Sequence, residues 1–178
     1  MNSIFDHMYR IMFFLLISLT FLSCKKENEV QIIDFGMEGS FVVSGSVPIA
    51  FETALSSASV YNSLDSVMGA NGFSTENIKD VELRSWVLTV NDSISNLDFL
   101  KSIDIELSGG SQDRMLVATS GELTGSVGET LELTVTTRDI SPYLVGDSIL
   151  LWPTVVLDQA LIQPVEVNMD ISLQLETR

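Results

Sequence analysis

The chain has 178 residues, 46% of them hydrophobic, and a formal charge of −15. Such acidity disfavours nucleic acid and anionic lipid headgroups as partners, because like charges repel wherever salt leaves them unscreened. The single cysteine, Cys24, excludes an internal disulfide, and the single histidine, His7, leaves the body of the chain without an imidazole.

The first element is an apolar run from Ile11 to Leu22. It spans about a dozen residues, whereas a helix crossing a bilayer takes roughly 20. Arg10 precedes it, Phe21-Leu22-Ser23-Cys24 closes it, and the chain then turns abruptly polar in Lys25-Lys26-Glu27-Asn28-Glu29. This arrangement resembles the lipobox of bacterial lipoprotein precursors, with Phe21 standing where an aliphatic residue is commoner. The resemblance implies cleavage between Ser23 and Cys24, a diacylglycerol on the Cys24 thiol, and an exported domain held to the membrane through its N-terminal lipid. Lys25 is not the aspartate that resembles an inner-membrane retention signal, so the outer membrane of the cell envelope is the expected address. Asp6 is unusual in a region that is normally positive. Translation from Met8 would place Met-Tyr-Arg directly before the run. Each buried methylene contributes about 0.8 kcal/mol and one chain binds only marginally, so a cysteine bearing two or three chains is firmly held.

Removing residues 1–23 leaves 155, enough for one domain with one core, and keeps the charge at −15. It also removes His7. With Cys24 acylated, neither a Ser-His-Asp or Cys-His arrangement nor a His/Cys zinc site can be assembled, and no cofactor is implied.

In the remainder, residues 24–34 read as a polar tether and 35–178 as a single domain, with Val30 as an alternative start for the first strand. Ser40 to Ser46 and Val47 to Glu52 read as strands, Pro48 marking an edge or bulge. Val60, Tyr61, Leu64, Val67 and Met68 share a helical face that Asn71-Gly72 would stop. Val81 to Val90 starts by alternating and becomes nearly continuous at Trp86-Val87-Leu88, which suggests burial on both sides there. Ser95 to Leu100 and Asp139 to Leu144 read as single helical turns, the second with Pro142 after a Ser141 cap.

Alternation is clean in Ile103 to Ser108, Leu131 to Thr136 and Val165 to Glu176, the period of a strand with one buried face. Arg114 to Thr119 follows the turn-rich Ser108-Gly109-Gly110-Ser111 and reads as a hairpin partner of Ile103 to Leu107. Ser148 to Leu157 reads as a strand interrupted at Pro153. These elements predict an all-β fold, a two-sheet antiparallel β-sandwich, immunoglobulin-like in the broad sense, with short connecting helices; a barrel is the alternative.

Candidate sites are few. Asp104, Glu106, Glu132, Glu166 and Asp170 could supply carboxylates for calcium or glycoside chemistry, but they occupy the polar phase of alternating strands, where solubility alone places them. Trp86 and Tyr143, with Trp152 and Tyr61, could form an aromatic platform for sugars. Trp86 shares its phase with Glu82 and Arg84, which would turn it outward, but also with Leu88 and Val90, which favours core packing; Trp152 reads as core. Arg84, Arg114 and Arg138 read as surface charges. The expected function is that of a non-catalytic, lipid-anchored ectodomain that binds an envelope protein or builds a surface assembly. The alternative is a carbohydrate-binding accessory module for surface polysaccharide.

Overall fold

The computed structural model describes residues 30–90, 96–109 and 112–178. Cys24, Ser23 and the apolar run before them lie outside the described residues, as do Ser95, Gly110 and Ser111. Among the described residues, ten strands, all paired antiparallel, form two sheets packed face to face. The first sheet has the order β1 (Ile32–Val43), β10 (Val165–Thr177), β4 (Ile78–Thr89), β7 (Thr130–Glu132). The second runs β2 (Thr53–Ala54), β9 (Ser148–Leu157), β5 (Leu100–Ser108), β6 (Met115–Thr119), β8 (Thr134–Val135), and β3 (Ala58–Tyr61) also pairs with β9. The sandwich is therefore the architecture.

β10 carries the first sheet. Val165, Val167, Met169, Ile171, Leu173 and Leu175 are all buried while the residues between them face outward, so its sequence alternation and its burial coincide. Burying each such aliphatic side chain contributes about 1.5–3 kcal/mol, and a one-residue slip would expose the whole set.

β1 begins at Ile32, paired with Glu176, so residues 32–34 belong to the sheet and not to a tether. It also ends at Val43, and the segment expected as a strand from Val47 is a turn in which only Ile49 bridges to Leu157. The inward phase here is Ile33, Phe35, Met37, Phe41 and Val43; Gly39 occupies it without a side chain because Val60 lies across from it, 2.6 Å from where a Cβ would sit. That glycine hides the alternation from a sequence reading.

The helix is also shorter than expected. Ala58–Tyr61 is strand β3, and α1 covers only Leu64–Ala70. Val60, Leu64 and Met68 are all buried, so the apolar spacing that suggested one helix is satisfied across a strand and a helix joined at Asn62. Gly72 ends α1 at φ 77, and Phe73 N–H donates to Met68 O at 2.9 Å.

Three further departures have local causes. In β4 the register with β10 shifts at Arg84, which bulges out between Leu83 and Ser85. The inward phase thereby moves from Val81 and Leu83 to Trp86 and Leu88, and Val87 is only half-buried, so the strand is not covered on both sides. The segment expected as one strand from Leu131 to Thr136 divides: β7 pairs with β4, β8 pairs with β6, and buried Leu133 between them crosses from sheet to sheet, its N–H on Trp86 O at 2.9 Å. β9 runs unbroken through Pro153. The proline carbonyl accepts Leu55 N–H at 2.9 Å, so its nitrogen faces the break between β2 and β3, where no ladder bond is required of it.

The expected turns fall at Leu97–Phe99 and Ser141–Tyr143 as 3-10 turns. In the first, Asp98 accepts N–H groups from Gly128 at 2.9 Å and Val127 at 2.5 Å, and these bonds hold its carboxyl below the usual range. Among the described residues no helix is long and apolar enough to cross a membrane.

Candidate functional site

The edge of the second sheet is built from a bulged hairpin. β5 and β6 pair as Leu107 with Met115 and Glu106 with Leu116, then as Ile105 with Ala118 and Asp104 with Thr119, so Val117 is the extra residue. The bulge places Val117 and Ala118 inward in succession and leaves Leu116 48% exposed. On its other side β6 meets β8 only at Ala118 and Thr119, followed by one bond from Thr136 N–H to Val117 O at 2.9 Å. Among the described residues no strand lies beside Met115 and Leu116 on that side.

The 3-10 turn at Ser141–Tyr143 forms the opposite wall. It is capped by Asp139 and not by Ser141: one Asp139 oxygen accepts Ser141 N–H at 2.8 Å and Val81 N–H at 3.0 Å, and the other accepts the Ser141 hydroxyl at 2.9 Å. Ile140 N–H donates to Val81 O at 2.9 Å. Val81 pairs with Leu175 and Leu175 with Ile33, which puts the turn at the end of the sandwich where β1 begins. Asn62, 5% exposed, holds the far side of the turn, donating to the carbonyls of Leu144 and Gly146 at 2.9 Å each. Gly109, at the end of β5, admits the Tyr143 carbonyl to 1.9 Å from where a Cβ would stand. Gly109→Ala is therefore expected to push hairpin and turn apart at a cost of about 1–3 kcal/mol, seen as a lower urea midpoint. An unchanged midpoint would contradict this packing.

Asp139 and Asp80 form a carboxyl pair behind the turn. Burial works against ionised Asp139, but the bonds from Ser141 and Val81 outweigh it and hold its pKa below the usual value. Asp80 is raised, first by burial and then by the hydrogen bond with, and charge of, Asp139; its Oδ1 is buried without a partner. Asp139 thus contributes stability that is present above the unfolded value of about 3.9 and lost as pH falls through its lowered folded value. Asp80 contributes in the opposite sense, fully below about 3.9 and progressively less as pH rises through its raised value. Asp80→Asn removes the second charge, so its urea midpoint should exceed the parent's at pH 7, with the gap closing below about pH 4. Equal midpoints at pH 7 would count against the pair.

Between these walls lies an open groove of about 520 Å³. Met115, Leu116, Val135, Thr119, Thr134 and Thr136 line it, Val117 and Ala118 are almost fully buried and offer it little surface, and exposed Arg114 and Arg138 stand at its rim with half-buried Tyr143. No carboxylate lines it, although the chain carries 24 acidic residues against nine basic ones. The Arg114 guanidinium lies 3.5 Å from the centroid of the Trp152 ring, and its ion pair with Glu106 is long at 3.9 Å. Arg138 has no ion pair within 4 Å among the described residues, unlike Lys79, Arg84 and Lys101, which are each paired.

The aromatic candidates separate. Trp86, at 2% exposure, is core and offers no face to a ligand. Tyr143 is half-buried in the groove wall. Trp152 is not core: Leu151, Pro153 and Val155 take the inward phase of β9, and Trp152 lies half-buried on the outer face, its indole N–H on Ser108 Oγ at 2.8 Å. The carboxylates lie on opposite outer faces, Asp104 and Glu106 on the second sheet and Glu132, Glu166 and Asp170 on the first. Asp104 accepts the Thr119 hydroxyl at 2.5 Å and Glu166 the Ser40 hydroxyl at 2.8 Å. Among the described residues no three His, Cys, Asp or Glu side chains are grouped to hold a metal ion. Sequence reasoning missed Arg114 and Arg138 as a pair; they are 24 positions apart, Arg114 just before β6 and Arg138 shortly after β8, and only the pairing of those two strands brings them to one groove.

No family model matches the sequence, and no curated protein is similar to it. Among solved structures, the chain is similar to Desmodium yellow mottle tymovirus at 13% identity, over 84% of this chain and 89% of that one, with a TM-score of 0.30. It is similar to empty-head turnip yellow mosaic virus at 10% identity, over 82% of each chain, with a TM-score of 0.26. Superpositions this loose carry no argument about function.

Proposed function

We propose that the chain is a lipid-anchored lipoprotein of the bacterial cell envelope, expected at the outer membrane, whose non-catalytic β-sandwich serves interaction with another envelope protein. The anchor rests on the resemblance at Phe21-Leu22-Ser23-Cys24, with Ser23 and Cys24 flanking the cleavage site. The observation that carries the interaction is the groove beside β6, free of carboxylates and rimmed by Arg114 and Arg138. In a chain of charge −15, these two arginines make the groove a local basic feature of an otherwise acidic protein.

Carbohydrate binding is the second reading, favoured by Tyr143 at the rim. It has lost support, because Trp86 is buried and the Trp152 ring is covered by the Arg114 guanidinium. A sugar would have to displace a cation–π contact to stack there.

Metabolic labelling with a fatty-acid analogue tests the anchor: the parent chain is expected to be labelled and Cys24→Ala unlabelled and released from membranes. Equal labelling of both would end the lipoprotein reading. A glycan array should show no ligand; a hit abolished by Tyr143→Ala would replace protein interaction with sugar binding.

A further inference from the structure

We infer that the groove beside β6 receives an extended, acidic segment of a partner polypeptide, added as a strand to the open edge at Met115 and Leu116. This rests on the reading of the domain as an interaction module and names the chemistry of its partner. Three observations converge on it. The first is the edge itself: β8 pairs only with Ala118 and Thr119, so past Thr136 the line that a neighbouring strand would follow is empty among the described residues. A segment placed there extends the sheet through main-chain bonds and sets alternate side chains toward exposed Leu116 and the lining threonines.

The second is charge. Of the side chains lining the groove, Arg114 and Arg138 are the charged ones, in a domain whose remaining surface is dominated by carboxylates. A basic segment would be attracted elsewhere on this surface, whereas an acidic one meets two cations of one groove here, Arg138 among them without an ion pair among the described residues. The third is preorganisation. Stacked at 3.5 Å over Trp152, whose indole is fixed by Ser108, the Arg114 guanidinium is already ordered, and its 3.9 Å distance from Glu106 leaves its fork open to a bidentate carboxylate.

The occupant is a peptide and not an anionic membrane, because a sheet edge takes up one narrow extended segment, whereas a membrane would also press its headgroups against the acidic surface beyond the groove.

Fluorescence anisotropy with the full chain in detergent tests this. The probe is a short rhodamine-labelled peptide of alternating valine and glutamate, compared with its valine–lysine counterpart and with a backbone N-methylated valine–glutamate form. The valine–glutamate peptide is expected to bind, to weaken with salt, and to weaken roughly tenfold or more in Arg114→Gln/Arg138→Gln, while Arg84→Gln on the other sheet leaves binding intact. The lysine and N-methylated peptides are expected to bind at least tenfold more weakly. Equal binding of the glutamate and lysine peptides, no binding of any peptide, or indifference to the double substitution each overturns the proposal. So does arginine-dependent binding to phosphatidylglycerol vesicles without peptide binding, which would assign the groove to a lipid surface. Both arginines are exposed and only the Arg114 contacts with Trp152 and Glu106 are lost, so the double variant should stay folded with a urea midpoint only slightly below the parent's. Failure here leaves the fatty-acid labelling of Cys24 untouched, and failure of that labelling leaves the peptide result standing, so the two readings fail separately.

Discussion

Replacing Trp86 by alanine is expected to lower stability by about 3–5 kcal/mol, the largest loss from any single side chain in the core. Trp86 is the bulkiest of the fully buried residues and sits where three parts of the fold meet. It pairs with Ile171 on the central strand β10, its carbonyl receives Leu133 N–H where the chain crosses between sheets, and it follows the Arg84 bulge that turns it inward. Truncation opens a cavity that β10 cannot collapse to fill, because its own register is fixed on both sides by β1 and β4. The indole N–H is buried without a hydrogen-bond partner, so Trp86→Phe removes an unsatisfied donor along with some volume and should cost less than about 2 kcal/mol. Urea unfolding of the three proteins checks the order parent, Phe, Ala. A phenylalanine variant as unstable as the alanine variant would contradict this, because it would show that the indole itself, and not the volume it fills, carries the stability.

Asn62→Ala should cost about 2–4 kcal/mol and act at a distance on the groove. The side chain makes three bonds: Nδ2 donates to Leu144 O and Gly146 O at 2.9 Å, and Oδ1 accepts Leu64 N–H at 3.1 Å. Alanine leaves two carbonyls and the first amide of α1 without this partner in a site only 5% exposed. Those carbonyls belong to the segment that follows Tyr143, so the turn carrying the groove's wall loses its anchor on one side while Asp139 still holds the other. Hydrogen exchange should quicken across residues 139–146 while β10 stays protected. Equal protection in parent and variant would mean that Asp139 alone fixes the turn.

Where physical causes were local, the fold was readable from the chain. β10 could be drawn residue by residue because every inward position carries an aliphatic side chain and every outward one does not. β1 obeys the same rule but was misplaced, since Gly39 takes an inward position to admit Val60, a contact no local pattern announces. Leu88 and Val90 favour core packing of Trp86 from the sequence, and the Arg84 bulge, present as an apolar spacing of three between Leu83 and Trp86, is what turns it inward despite sharing its phase with Glu82 and Arg84. The division of the Leu131 to Thr136 strand was not readable, because Leu133 is buried in the same phase whether the strand stays in one sheet or changes to the other.

The site was legible only in part. Tyr143 could be nominated as an aromatic in a turn, but the groove it borders depends on Asn62, Gly109 and Asp139, which come from separate segments and meet only in the fold. Trp152 looked like core because it lies among Leu150, Leu151 and Val155; it stands outward because Leu151, Pro153 and Val155 take the inward phase of β9, and Arg114, distant in sequence, covers its face. The lipobox resemblance needed no fold at all, being written in consecutive residues.

Intact mass spectrometry of the protein extracted with detergent from the membranes of a bacterial host tests the central claim most directly. The account predicts a mature chain that begins at Cys24 and carries the mass of a diacylglycerol, with or without a further amide-linked acyl chain. An unmodified chain that begins at Met1 or Met8 would contradict it.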